Sequence, residues 1–212
     1  MKDIFKSIRS YGQGPSPWFD RLMTVFTTMD AGYERTAGNY GFVCQGCEDN
    51  CCQSRFYHHT LLETMSIYRG FLGLTGQERQ AVEVRAAEYC RQHVEADAAG
   101  TTVKPWCPLN ANGRCLVYDV RPMICRLHGL PHALCQPGGK IVQGPGCDHF
   151  QSHQPPGNSS SLDRTPFYRA MAGLEKEFRI ELDVNVRIKQ TIAEMIMSFL
   201  PGHSERMQED NR

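Results

Sequence analysis

Ten cysteines in a chain of 212 residues, four of them packed between Cys44 and Cys52, are the side chains here most able to do chemistry. The first block reads Cys44-x2-Cys47-x3-Cys51-Cys52. A two-residue gap lets one tight turn carry two sulfurs to a single metal while backbone N–H groups face the thiolate charge, which is why the spacing recurs in zinc and iron–sulfur sites. Adjacent Cys51 and Cys52 are expected to project in different directions, so that they serve different metal sites or one of them is not a ligand. The second block is dispersed: Cys107 before Pro108, Cys115 after Gly113-Arg114, Cys125 between Ile124 and Arg126, and Cys147 after Pro145-Gly146. It contains no x2 pair, which excludes a zinc ribbon, so a folded scaffold has to bring the two blocks together.

The candidate metal ligands are therefore Cys44, Cys47, Cys51, Cys52, Cys107, Cys115, Cys125 and Cys147. Eight thiolates suit one four-cysteine cluster with spares, or two four-ligand sites that share the adjacent pair. The cofactor expected is an iron–sulfur cluster, with [4Fe–4S] favoured, or zinc. Cys90, in the middle of a helical stretch, reads as a small core residue. Cys135, before the turn Gln136-Pro137-Gly138-Gly139, has an open role. Asp119 and Pro122 suit the first turn of a short helix that is expected to hold Cys125 near a positive helix end and beside Arg126, both of which favour a thiolate.

Neighbouring residues offer further chemistry. His58 and His59 follow the first block and can complete a mixed cysteine and histidine site, and His128, His132 and His149 border the second; the alternative for each is ordinary polar packing. Radical chemistry of the S-adenosylmethionine type calls for Cys-x3-Cys-x2-Cys, and counting from Cys47 the third position falls on Ser54. A thioredoxin-like role for Cys44 and Cys47 calls for a βαβ setting, whereas their flanks read as glycine-rich loop and helix. There is no glycine-rich phosphate loop and no Ser/His/Asp signature.

The two blocks together resemble the bacterial cysteine-cluster proteins described as zinc- or iron-chelating and called the YkgJ family. The resemblance rests on Cys44, Cys47, Cys51 and Cys52, on Cys107-Pro108-Leu109, on Cys115-Leu116-Val117-Tyr118 leading to Arg121-Pro122 and Cys125-Arg126, and on Gly144-Pro145-Gly146-Cys147. It covers roughly residues 40–150. This chain has three residues before the paired cysteines where the family's first block is shorter, which leaves the separate duties of Cys51 and Cys52 open. What the resemblance implies is metal chelation, in a structural or electron-carrying role. A distant relative, flagellin lysine methylase, looks like an iron–sulfur enzyme, and this implies the alternative of cluster-dependent group transfer or protein modification.

Composition narrows the partners. Lysine and arginine total 23, as do aspartate and glutamate, so no net charge is available to hold a nucleic-acid backbone or an anionic membrane. Lys2, Asp3, Lys6 and Arg9 interrupt the N-terminus, and no stretch approaches the ~18 apolar residues of a membrane span. The expectation is a cytoplasmic chain with neither nucleic-acid nor membrane partners. Clustered cysteines in a reducing compartment are more often metal ligands than disulfides; a disulfide-stapled interaction module, the third reading, predicts no bound metal and no free thiols.

The elements that must position these residues are mainly helical. Ser16-Pro17 opens a helix reaching about Tyr33. The apolar pattern over residues 57–72 predicts a second, and Thr75 with Glu78 forms a capping box for a third that ends before Gly100. Two weak strands are expected near residues 115–118 and 140–143. Residues 151–161 have linker composition, followed by helices over 165–178 and 188–200. The fold expected is a single domain over residues 1–212: helices from both ends around a loop-rich, cysteine- and metal-stapled centre over residues 40–150, with few short strands and C-terminal helices over 162–212.

Overall fold

The computed structural model describes residues 4–44, 51–152 and 160–200, with side chains from residue 7 onward in the first helix. It is mainly helical with a few short strands. Helix α1 (Ile4–Gly12), which the hydrophobic pattern did not announce, seats Ile8 in the core. Helix α2 (Pro17–Gly38) starts where Ser16 accepts a hydrogen bond from the Phe19 N–H and has proline in its first turn. It buries Trp18, Leu22, Phe26 and Met29, and it runs past Tyr33 to Gly38, beyond the expected end.

Helix α3 (Leu61–Leu72) begins four residues later than its apolar pattern implied. Thr60 caps it, and the buried Glu175 carboxylate accepts the free N–H groups of Leu61 at 2.9 Å and Leu62 at 3.2 Å. A carboxylate at a helix N-terminus satisfies donors that have no partner within the helix. Helix α4 (Gly76–Ala99) has the anticipated capping box of Thr75 and Glu78 and ends on left-handed Gly100.

The centre then turns irregular. Strands β1 (Asn110–Ala111) and β2 (Arg114–Cys115) form a tight hairpin around Asn112 and Gly113, whose φ values of 51° and 80° are those such a two-residue turn demands. Helix α5 (Met123–Leu127) follows, then the antiparallel pair β3 (His132–Cys135) and β4 (Ile141–Gly144). After the one-turn helix α6 (Asp148–Ser152), β5 (Leu162–Asp163) pairs parallel to β3. The expected linker is thus partly helix at its start, and most of it lies outside the described residues. Helix α7 (Thr165–Leu182) and helix α8 (Ile192–Phe199), capped by Thr191, are the last of the described elements; α8 starts four residues later than its apolar pattern suggested.

Two apolar clusters organise these elements. One gathers α1, α2, α3 and α7 around Phe26, Met29, Leu62 and Phe178. The other joins α3, α4 and α8 through Ile67, Val82, Ala86 and Met195. The two faces of α3 serve both, so most of its residues are buried. No helix among the described residues is long and apolar enough to cross a membrane.

Candidate metal centre

A cavity of about 1210 Å³ opens between α2, the two cysteine blocks and the start of α8. Its wall includes Cys44, Cys51 and Cys52 from the first block. From the second it includes Cys107, Cys115, Cys125 and Cys147. Cys47 lies outside the described residues. Cys90 and Cys135 do not face the cavity: Cys90 packs against the α3, α4 and α8 cluster, and Cys135 sits on β3 with its thiol 3.8 Å from the Gln136 carbonyl. No disulfide joins any two of the described cysteines.

Short-range contacts explain how distant segments meet. The Cys107 N–H donates to the Cys52 carbonyl at 2.6 Å, tying one block to the other. Arg85 of α4 donates to the Pro108 carbonyl at 2.9 Å, and the β1–β2 hairpin carries Cys115 back toward Cys107. Ser66 of α3 donates to the Val120 carbonyl at 2.9 Å, fixing the turn before Cys125. Cys147 is anchored by its N–H on the Gly129 carbonyl at 3.0 Å, and its sulfur accepts from the Phe150 N–H at 3.4 Å. Gly146 precedes it at φ 91°, with the Gly129 carbonyl only 2.6 Å from where a Cβ would stand, so a side chain there has no room.

The thiols sense one another. Burial raises Cys107, Cys115 and Cys125 above the ordinary thiol range, Cys115 to about 11, and charge on neighbouring cysteines adds to each. Among Cys52, Cys107, Cys115 and Cys125, every pair interacts in this way. A second set surrounds the hydroxyl of Tyr33, which burial raises first and charge on Cys44, Cys147 and Cys51 raises further.

Two expectations are corrected. Cys51 and Cys52 do not diverge: the 3-10 turn Cys51–Gln53 brings their sulfurs into a hydrogen bond. Cys51 keeps its proton, and the bond, against the opposing effect of burial and with help from Asn110, lowers Cys52. Nor does Cys125 gain from Arg126. That guanidinium donates to Asp30 at 2.5 Å, to the Arg121 carbonyl at 2.8 Å and to the Asp119 carbonyl, and stacks 4.1 Å from the Phe26 ring centroid. It is paired with Asp30, its charge favours the Cys115 thiolate, and burial raises the Cys125 thiol.

Among the described residues, no three His, Cys, Asp or Glu side chains converge closely enough to hold one metal ion. The sulfurs ring the cavity rather than meeting at a point. Three neighbours of the cysteines were not singled out in the sequence: Tyr33, Asn110 and Glu63. Asn110 was findable, because Asn112-Gly113 is a strong hairpin signal that places it opposite Cys115. Tyr33 and Glu63 carry no local signal, since each reaches the site through packing between helices. Of the histidines considered, His58, His128 and His149 line the cavity, and His59 and His132 do not.

Comparison with protein-family models, with curated proteins and with solved structures finds no match to this chain. The likeness to the YkgJ family rests on the quoted residues alone.

Proposed function

We propose that this chain is a metal-binding protein that holds an iron–sulfur cluster through thiolates of the cavity wall, with Cys52, Cys107, Cys115 and Cys125 as the principal donors. The observation that carries the reading is that seven cysteines from two separated blocks line one cavity while Cys90 and Cys135 stand away from it. A donor set of soft thiolates selects iron–sulfur clusters or zinc over hard cations. Iron–sulfur is put ahead of zinc because no three of the described side chains converge on one ion-sized point. Zinc draws its four ligands to about 2.0–2.3 Å around a single ion, whereas a cluster takes thiolates from a wider ring. When bound, such a cluster supplies one-electron transfer. The protein's own part is to exclude water from the inner thiols, to gather them from both blocks and to give up their protons on loading.

A second reading, an enzyme that uses the cluster for group transfer or protein modification, is favoured by the size of the cavity. About 1210 Å³ exceeds the roughly 300–1,000 Å³ of ordinary ligand pockets, and the wall also carries Tyr33, Asp30 and Arg121.

The test is metal and acid-labile sulfide analysis, with a visible spectrum, on protein purified without oxygen. Iron with sulfide and a brown colour supports the proposal. Stoichiometric zinc in a colourless chain replaces the cluster with a structural site, and a chain without either metal overturns the reading altogether.

A further inference from the structure

Two guanidiniums share one carboxylate in the cavity wall. Asp30 of α2 accepts from Arg126 at 2.5 Å and from Arg121 at 3.2 Å, and all three residues line the cavity. Arg126 is 3% exposed. Further contacts fix both arginines. Arg126 donates to the carbonyls of Arg121 and Asp119 and stacks on Phe26. Arg121 donates to the Tyr118 carbonyl at 2.9 Å, with its guanidinium 3.8 Å from the Tyr118 ring centroid.

The triad therefore carries more positive charge than Asp30 balances. The other carboxylates of the wall, Glu34 and Asp119, are exposed and form no ion pair with either arginine among the described residues. Exposed charges are screened by salt, and buried or partly buried ones much less. Pinning α2 to the turn before α5 needs only one arginine against one carboxylate, and the second guanidinium opposes the first. Burial disfavours the charged form of Arg126, Asp30 favours it, and Arg121 disfavours it again. Such an arrangement is costly unless something anionic sits opposite. The thiol set meets that requirement. At Cys115, whose thiol burial raises, the Val117 N–H and the charges of Arg121 and Arg126 act in the opposite direction.

Resting on the iron–sulfur reading above, we infer that the excess positive charge of the Arg121–Asp30–Arg126 triad sets the reduction potential of the centre, holding it above the value the thiolates alone give. A cluster held by thiolates is anionic and gains further negative charge when it accepts an electron, so a fixed cation in the wall favours the reduced form. None of the three residues is a ligand. Arg121 raises the potential, and Asp30 trims that effect.

The test is a redox titration, followed by electron paramagnetic resonance, of the iron-loaded full chain at fixed pH and salt. Asp30→Asn should raise the potential and Arg121→Gln should lower it, each by about tenfold in the reduction equilibrium, or about 59 mV for one electron. Arg121→Lys, which keeps the charge but loses the planar fork, should stay near the parent value. The double variant Asp30→Asn with Arg121→Gln restores the excess charge and should return toward it. Arg91→Gln, which removes an exposed arginine of α4 away from the cavity, should leave the potential unchanged. Damage to packing does not produce opposite signs from the two ends of one ion pair. A potential that is unmoved or raised in Arg121→Gln, or lowered in Asp30→Asn, overturns the inference, as does Arg121→Lys moving as far as Arg121→Gln. If Asp30→Asn does not fold, the comparison of Arg121→Gln with Arg121→Lys decides alone. A loaded cluster whose potential ignores these charges removes this inference and leaves the metal reading standing, whereas a chain that loads zinc or no metal removes both.

Discussion

A thiol buried among other thiols resists ionisation, and this sets the chemistry of the site before any metal arrives. Burial raises Cys107, Cys115 and Cys125, whereas Cys52 is lowered by its bond from Cys51. On the metal-binding reading, uptake would therefore release protons. In the metal-free chain the raised thiols stabilise the fold in their neutral form. Their contribution is complete below the ordinary thiol value of 9.0 and is lost as pH rises through the folded value, about 11 for Cys115. Each raised thiol gives a slope of up to about 1.4 kcal/mol per pH unit, or roughly 3–5 °C of Tm for a chain of this size. Thermal melts of chelator-treated protein between pH 8 and pH 11 should show this decline, and the metal-loaded protein should not. A second prediction compares cysteines. Cys107→Ser, Cys115→Ser or Cys125→Ser should lower bound metal several-fold, whereas Cys90→Ser and Cys135→Ser should leave metal content intact and cost about 1 kcal/mol or less in urea unfolding. Equal losses across all five would remove the distinction between wall and core. At this scale the sequence was informative about residue type and silent about direction: the Cys51–Cys52 contact depends on a 3-10 turn that no residue pattern advertised.

Between elements, the site depends on how closely α3 can approach the turn before α5. Gly70 makes that approach possible. A Cβ there would lie 2.6 Å from Val120 Cγ2 and 2.9 Å from Val117 Cβ and Cγ1. Gly70→Ala should push the 117–120 segment outward at a cost of about 1–3 kcal/mol, and because that segment leads into Cys125 it should also weaken metal retention, measured by the rate of loss to a chelator. An unchanged urea midpoint would show that α3 yields instead. Helices were the readable part of the chain. Ser16 and Thr75 cap as their residue types require, because capping is a local matter of one side-chain oxygen and one backbone N–H; Thr191 caps α8 in the same way, although the apolar pattern puts that start at Ile188. The start of α3 was misplaced although its cap is local, with Thr60 accepting from the Glu63 N–H; what no window around residue 60 contains is Glu175 of α7, which accepts the Leu61 and Leu62 N–H groups.

For the molecule as a whole, long helices pack into two apolar clusters, while the stretch between α4 and α7 has only short elements to hold it. Stability should divide accordingly. Removing metal should expose residues 101–152 to limited proteolysis and leave the α2, α3 and α7 packing largely protected, as seen by mass spectrometry of the fragments; uniform cleavage along the chain would contradict this division. Composition announced a helical protein with an irregular centre, yet the meeting of the two cysteine blocks was beyond it, because that depends on long-range bonds such as Cys107 to Cys52. The bridge between His58 and Gln190, with Thr191 to Ala193 forming part of the cavity wall, has a consequence for biosynthesis. Chains are made from the N-terminus, so both cysteine blocks leave the ribosome well before the segment that closes their cavity. The nascent thiols stand open during that interval, and a cofactor delivered then would meet a half-built wall. On the metal-binding reading, loading would follow the docking of α8.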